Sequence, residues 1–189
     1  MKLLSSSKVG PTVADDIKKS SFYAGILALI AIFLYILFRF SRWQYSAGAV
    51  IALFHDALIT IGFFSLLKGI VPFSLEIDQA FIAAILTVIG YSINDTVIVF
   101  DRIRENLGLH PNKSQSEVIN DSINRTFSRT TFTSLTTLFV VIGLFLFGGS
   151  SIKGFAFALL VGIVIGTYSS IFIATPLMID LGGAREEKK

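Results

Sequence analysis

Five apolar blocks dominate the chain, at about residues 22–38, 45–67, 80–100, 130–147 and 154–178. Each approaches the roughly 17–25 residues an α-helix needs to cross a hydrocarbon core. Apolar residues make up 53% of the 189 positions and charged residues only 15%, against about 25% charged in ordinary soluble domains. A soluble helical protein would need a polar face on most of its helices, and the first and last blocks lack one. The pattern predicts an all-α polytopic membrane protein, a bundle of five transmembrane helices in a single domain over 1–189.

Composition excludes several chemistries. The chain has no cysteine, hence no disulfide framework, thiolate metal site or cysteine nucleophile. Its two histidines, His55 and His110, fall in a span and a loop, so no metal site is expected. The residues form no paired-Asp or Ser/His motif of an intramembrane hydrolase, and an enzyme is not expected. The net charge of +3 is spread among loops and suits contact with the lipid bilayer, not nucleic acid. The first 20 residues carry Lys2, Lys8, Asp15, Asp16, Lys18 and Lys19 with no apolar run of a secretory leader.

Positive charge suggests the orientation. With the N-terminus outside, the inner segments hold Arg39, Arg42, Arg102, Arg104, Lys113, Arg125, Arg129, Arg185, Lys188 and Lys189. Lys2, Lys8, Lys18, Lys19, Lys68 and Lys153 remain outside. The positive-inside rule therefore favours N-out, C-in. Residues 1–21 become an outer lead-in, with a short helix over 9–19 starting near Pro11. Residues 101–129 become an inner loop and 179–189 an inner tail. Ser114 or Ser116 is placed to cap a helix through "EVINDSINRTFSR".

Polar groups inside the spans carry the functional signal. A carboxylate in hydrocarbon costs about 2.5–3.5 kcal/mol on insertion scales and commonly marks an ion path or proton relay. Asp95 lies about 8 Å inside the third span at 1.5 Å per residue. Thr87, Tyr91, Asn94 and Asp95 fall near one helical face, with Gly90 expected to allow close approach. Asp95 is read either as a proton carrier or as a bond to a neighbouring helix. His55 and Asp56 sit near the middle of the second span. Adjacent residues point about 100° apart, so they are not expected to form a catalytic dyad with each other. They are read as interhelical hydrogen-bonding groups or as support for a proton path.

The fourth span opens "NRTFSRTTFTSLTT". Arg125, Arg129, Thr133 and Thr137 follow one line at spacing four, and Arg129 is the natural partner for Asp95, or else reaches lipid phosphates. Asp101, Arg102, Arg104 and Glu105 mark an interface, with ion pairs at helical spacing. In the fifth span, Gly154, Ala158, Gly162, Gly166 and Ser170 recur every fourth residue. That stripe, with its GxxxG, predicts a tight helix–helix contact.

These stretches together resemble the SecF part of the bacterial SecDF protein-export family. The resemblance rests on "VGPTVADDIKKS", "ALFHDALITIGFFSL", "FSLEIDQAFIAAILTVIGYSINDTVIVFDRIREN", "INRTFSRTTFTSLTTL" and "GFAFALLVGIVIGTYSSIFIATPL", in order over nearly the whole chain. It implies an RND-type half in the bacterial inner membrane. That half would use the proton motive force to promote translocation of polypeptides after SecA and the SecYEG channel. The implied partners are a SecD half, SecYEG and a SecA-driven preprotein, with protons as the coupling ion and no other cofactor. The family's relay carboxylate falls on Asp95, its essential arginine on Arg129 and its His-Asp pair on His55-Asp56. The family's first membrane helix and periplasmic domain have no counterpart before "VGPT", so the chain is expected to be a fragment. The alternatives are half of a related RND-type permease for small molecules or lipids, and a non-conducting assembly scaffold.

Overall fold

The computed structural model describes residues 11–182. The first ten positions and the expected inner tail from 183 onward lie outside the described residues. Helix α1 spans Pro11–Phe40, α2 Trp43–Leu67, α3 Gln79–Leu109, α4 Gln115–Phe147 and α5 Ser150–Ser169. A π-helical turn, Ser170–Ala174, joins α5 to α6, Thr175–Gly182. Five helical segments among the described residues are long and apolar enough to cross a membrane, α5 through α6 acting as one.

The helix limits differ from expectation in three places. The lead-in is no separate helix, because neither glycine nor proline follows Pro11 before residue 22 and α1 runs on unbroken. The expected inner loop over 101–129 is mostly helical. Helix α3 continues to Leu109 and α4 begins at Gln115, where Ser114 accepts a hydrogen bond from the Glu117 amide at 3.2 Å. Charged residues end a hydrophobic block, but they do not end a helix that good helix formers sustain. The last span is not one regular helix either. Pro176 has no N–H to offer the Phe172 carbonyl, and the ladder shifts to the wider π pattern just before it.

Helix α3 is the centre of the bundle, packing on α1, α2, α4 and α5. The stripe of small residues on α5 faces it. A methyl group at Gly162 would collide with Val88, and one at Gly166 would lie 2.9 Å from the Ser92 Cβ. Ala158 is fully buried on the same line. Gly154 meets the connection before α3 instead, with the Ser74 carbonyl 2.9 Å from where its Cβ would stand. Gly90 packs nothing closely: a methyl there would find open space, contrary to its expected role. The tight α2 contact comes from Gly48, where a Cβ would stand 2.7 Å from the Ala174 carbonyl.

Two apolar cores fill the bundle. One gathers Ile36, Phe40, Tyr45, Ala49, Val99, Phe100, Ile103 and Met178, with the Phe40 and Tyr45 rings stacked at 4.9 Å. The other gathers Phe64, Phe81, Ala84, Val88, Val141 and Ile163. On α2, α3 and the α5–α6 span, the residues between these cores in sequence include the buried polar ones: Asp56, Ser92, Asp95, Thr96, Ser169 and Ser170. A polar layer thus crosses the middle of the bundle between two greasy ends.

Candidate polar site in the membrane core

Asp56 is fully buried and receives donors from three helices. Its Oδ2 accepts hydrogen bonds from Ser92 Oγ on α3 and Ser169 Oγ on α5, both at 2.7 Å. Its Oδ1 lies 3.1 Å from His55 Nδ1. The neighbours do hydrogen-bond despite the angular offset that argued against a catalytic dyad. A short carboxylate and an imidazole reaching along the helix surface can bridge about 100°. His55 remains one-third exposed, at 33% of its side-chain surface, so the pair links the buried layer to the bundle exterior. Thr60 adds its hydroxyl to the Asp56 carbonyl at 2.8 Å. With every oxygen engaged, Asp56 acts as a clamp of α2 onto α3 and α5.

Asp95 is a different kind of carboxylate. It is 1% exposed, yet its hydrogen bonding is thin. Oδ2 accepts from Ser134 Oγ on α4 at a long 3.3 Å, and Oδ1 is buried with no donor at all. Ser134 is the hub. It lies 2.6 Å from Thr167 Oγ1 on α5 and receives the Tyr91 hydroxyl at 3.2 Å. Thr167 in turn donates to the Ile163 carbonyl at 2.8 Å. Tyr91, Asp95, Ser134 and Thr167 therefore form a short hydroxyl chain ending on a carboxylate with a free lone pair. Such a chain can hand a proton along by hydroxyl rotation.

The expected stripe on α3 is divided by this geometry. Tyr91 and Asp95, four residues apart, converge on Ser134. Thr87 is exposed and bonds its own helix at the Ala83 carbonyl. Asn94 is exposed and lines a groove of about 460 Å³ between α1 and α3 with Ala31, Tyr35 and Gly90. Arg129 does not pair with Asp95. It is exposed, and no ion pair joins the two among the described residues. The line of Arg129, Thr133 and Thr137 points away from the layer. Thr133 and Thr137 donate to the Arg129 and Thr133 carbonyls of their own helix. The buried line on α4 is instead Thr126, Thr130 and Ser134, also at spacing four and offset by one residue.

Several participants were not singled out by sequence reasoning: Ser92, Thr96, Ser134, Thr167 and Ser169. Thr96 Oγ1 and Ser170 Oγ meet at 2.9 Å between α3 and the π turn, which gives Ser170 a polar role beyond packing. A signal was available for four of them, since Ser92 and Thr96 lie within three residues of Asp95, and Thr167 and Ser169 within three of Gly166; Ser134 had only its place in the hydroxyl run of α4.

At the arginine-rich end, Asp101 accepts from Arg39 on α1 at 2.8 Å and from Arg104 at 3.2 Å. Arg104 also donates to the Arg39 carbonyl at 2.8 Å, and Arg102 pairs with Glu105 at 2.8 Å. The motif is thus more than a solvated helix end, because it ties α3 to the last turn of α1.

A family profile described as "Protein export membrane protein SecD/SecF, C-terminal" matches residues 1–184. The chain is 59% identical over 180 residues to the protein translocase subunit SecF of Rhodothermus marinus, covering 95% of this chain and 58% of that protein. It is 49% identical to the SecF subunit of Vibrio alginolyticus, covering 94% of this chain and 54% of the relative. A crystal structure of SecDF, described as a translocon-associated membrane protein, superposes with a TM-score of 0.84 at 42% identity. It covers 92% of this chain and 23% of the SecDF chain. The chain thus spans little more than half the length of these SecF relatives. By profile, sequence and structure, it belongs to the SecD/SecF family of protein export membrane proteins.

Proposed function

We propose that this chain supplies the membrane half of a SecF-type export subunit, driven by proton movement through its polar layer. It acts with a SecD half beside the SecYEG channel, after SecA has started a preprotein across the bacterial inner membrane. The family supports the export role, and the arrangement around Asp95 supports the proton. One observation carries the reading: of two buried carboxylates in one layer, Asp56 is fully engaged and Asp95 has an oxygen with no donor. A saturated carboxylate clamps helices. An unsaturated one can take up a proton and release it when its surroundings rearrange.

Proton uptake at Asp95 Oδ1 needs no bond broken first, and Ser134 can then re-aim its hydroxyl toward Thr167. Arg129, about one and a half turns before Ser134 and paired with no carboxylate among the described residues, is the cation that a shifted α4 would bring toward an ionised Asp95. Alternation between the hydroxyl-bonded and arginine-paired states couples proton occupancy to helix position. The N-out, C-in orientation places Arg39, Arg102 and Arg104 on the cytoplasmic side.

The experiment introduces Asp95→Asn into the full-length export protein and follows completion of preprotein translocation without ATP, with and without a proton gradient. Loss of the gradient dependence in an intact complex is expected. Undiminished gradient-driven export would make Asp95 a packing group in a scaffold.

A further inference from the structure

The starts of α2 and α6's far end enclose a feature the export reading does not use. A cavity of about 330 Å³ opens at the arginine-rich end of the bundle, between the last turns of α1 and α3, the start of α2 and the end of α6. Its volume falls within the roughly 300–1,000 Å³ typical of small-ligand sites. Among the described residues only two charged side chains line it, Arg42 and Arg104, and no carboxylate does. Phe40, Tyr45 and Met178 give it an apolar wall, and all three are at most 5% exposed.

The two arginines are not equally committed. Arg104 spends two donors on Asp101 and the Arg39 carbonyl and lies over the Phe40 ring, 5.1 Å from its centroid. Three of its five donors remain. The Arg42 side chain makes no hydrogen bond or ion pair among the described residues, although Arg42 occupies the N-cap of a 25-residue helix whose first turn has neither a side-chain cap nor an acidic residue. Asp101 is already shared by Arg39 and Arg104. The end of the bundle thus carries an uncompensated guanidinium beside unbonded helix amides, which together favour an anion. A further observation stands beside these: the carboxamide oxygen of Gln44, on the cavity wall, is buried and has no donor.

Depth identifies the source of the anion. Trp43, next to Arg42, is 51% exposed, and Phe38 on α1 is 81% exposed. An exposed indole next to an arginine at the end of a span sits at headgroup level, and Phe38 then faces acyl chains. A free phosphate has no use for the Phe40, Tyr45 and Met178 wall, whereas a glycerol backbone and its first methylenes do.

We propose that this cavity holds the headgroup of an anionic glycerophospholipid. The phosphodiester lies between Arg42 and Arg104 at the α2 N-terminus, and a headgroup hydroxyl donates to Gln44. Basic pockets between transmembrane helices are a known way to hold such headgroups. Phosphatidylglycerol, which has both the phosphate and the hydroxyls, fits this set of partners better than phosphatidylcholine, which has no headgroup donor.

The test is native mass spectrometry of the full-length protein extracted in mild detergent. Dioleoyl phosphatidylglycerol, dioleoyl phosphatidylcholine and inorganic phosphate are each added back. The variants are Arg42→Gln, Arg42→Lys and, at the opposite end of α2, Lys68→Gln. The wild-type protein is expected to retain phosphatidylglycerol over phosphatidylcholine. Arg42→Gln is expected to lower that retention roughly fivefold, the equivalent of about 1 kcal/mol per basic residue near an anionic surface. Arg42→Lys should lie between, and Lys68→Gln should match wild type. The Arg42 side chain makes no bond among the described residues, so Arg42→Gln should keep the wild-type circular dichroism and melting point. Equal retention by wild type and Arg42→Gln overturns the proposal. So does equal retention of the two lipids, or binding of inorganic phosphate with no phosphatidylglycerol retained.

Discussion

Asp56 and Ser169 stand 113 positions apart in the chain and meet side chain to side chain at 2.7 Å in the buried middle of the bundle. The contact closes α2 onto the end of α5 where the helix is about to widen into its π turn. Ser92 completes the clamp from α3. Removing the carboxylate leaves the buried Ser92 hydroxyl without its acceptor and Ser169 with only the Gly166 carbonyl at 3.1 Å, and a hydrogen bond to a carboxylate contributes about 1.5–3 kcal/mol. Asp56→Ala should therefore lower the melting temperature of the solubilised protein far more than Asp56→Asn, which keeps one acceptor oxygen. Equal melting points for the two variants would contradict the clamp.

The closest helix contact makes a second prediction. Gly162 lies against Val88 with no room for a methyl group, and Val88 is 1% exposed with stiff, branched geometry. Gly162→Ala should destabilise the bundle by about 1–3 kcal/mol, the usual cost of overpacking. Val88→Ala alone opens a void and should also destabilise. The double variant should recover much of both losses, because the new methyl fills the space the valine vacates. Strictly additive losses in a thermal-unfolding cycle would show that the two residues do not share that contact.

These two contacts mark how far the sequence alone is legible. The five spans, the glycine stripe and the place of Asp95 inside the bundle follow from block length, spacing and the cost of a buried charge. The cap was narrowed to Ser114 or Ser116 by their place before a polar helix, and Ser114 fills it. The partnerships did not follow. Helical spacing put Arg129, Thr133 and Thr137 on one line, but Thr126, Thr130 and Ser134 make an equally regular line one residue away. Spacing alone cannot say which of two lines faces inward when both are hydroxyl-rich. His55 and Asp56 failed for a different reason: angular offset describes Cβ directions, while side chains of that length can turn toward each other. The π turn was invisible because a proline near the end of a span permits several local adjustments, and neighbouring helices select among them.

The end motif makes a third prediction, a small one. Arg39 and Asp101 pair at 2.8 Å, but their side chains are 38% and 37% exposed. A half-exposed pair contributes at most about 1 kcal/mol and is screened by salt. Arg39→Gln should therefore cost little stability at low ionic strength and nothing measurable at 1 M salt, where the screening length falls to about 3 Å. A large, salt-independent loss on thermal unfolding would mean that Arg39 matters through its packing on Phe40, over whose ring it lies at 5.4 Å.

The last prediction separates the two hydroxyl lines of α4 by function. Ser134 bonds Asp95, Thr167 and Tyr91, while the Thr133 and Thr137 hydroxyls are turned to carbonyls of their own helix. If proton transfer to Asp95 runs through the buried line, Ser134→Ala should slow gradient-driven export roughly fivefold, the equivalent of losing one hydrogen bond of about 1 kcal/mol. Thr133→Ala and Thr137→Ala should leave it near wild type. Ser134→Thr keeps a hydroxyl and should restore part of the rate, provided the added methyl is accommodated beside Thr167. The readout is the rate of preprotein release at several gradient strengths, compared with the melting point of each variant. A Ser134→Ala protein that is stable and fully active would remove Ser134 from the path. A slow Thr133→Ala protein would instead point to the exposed line, and to an α4 that rotates that line toward Asp95 during the cycle.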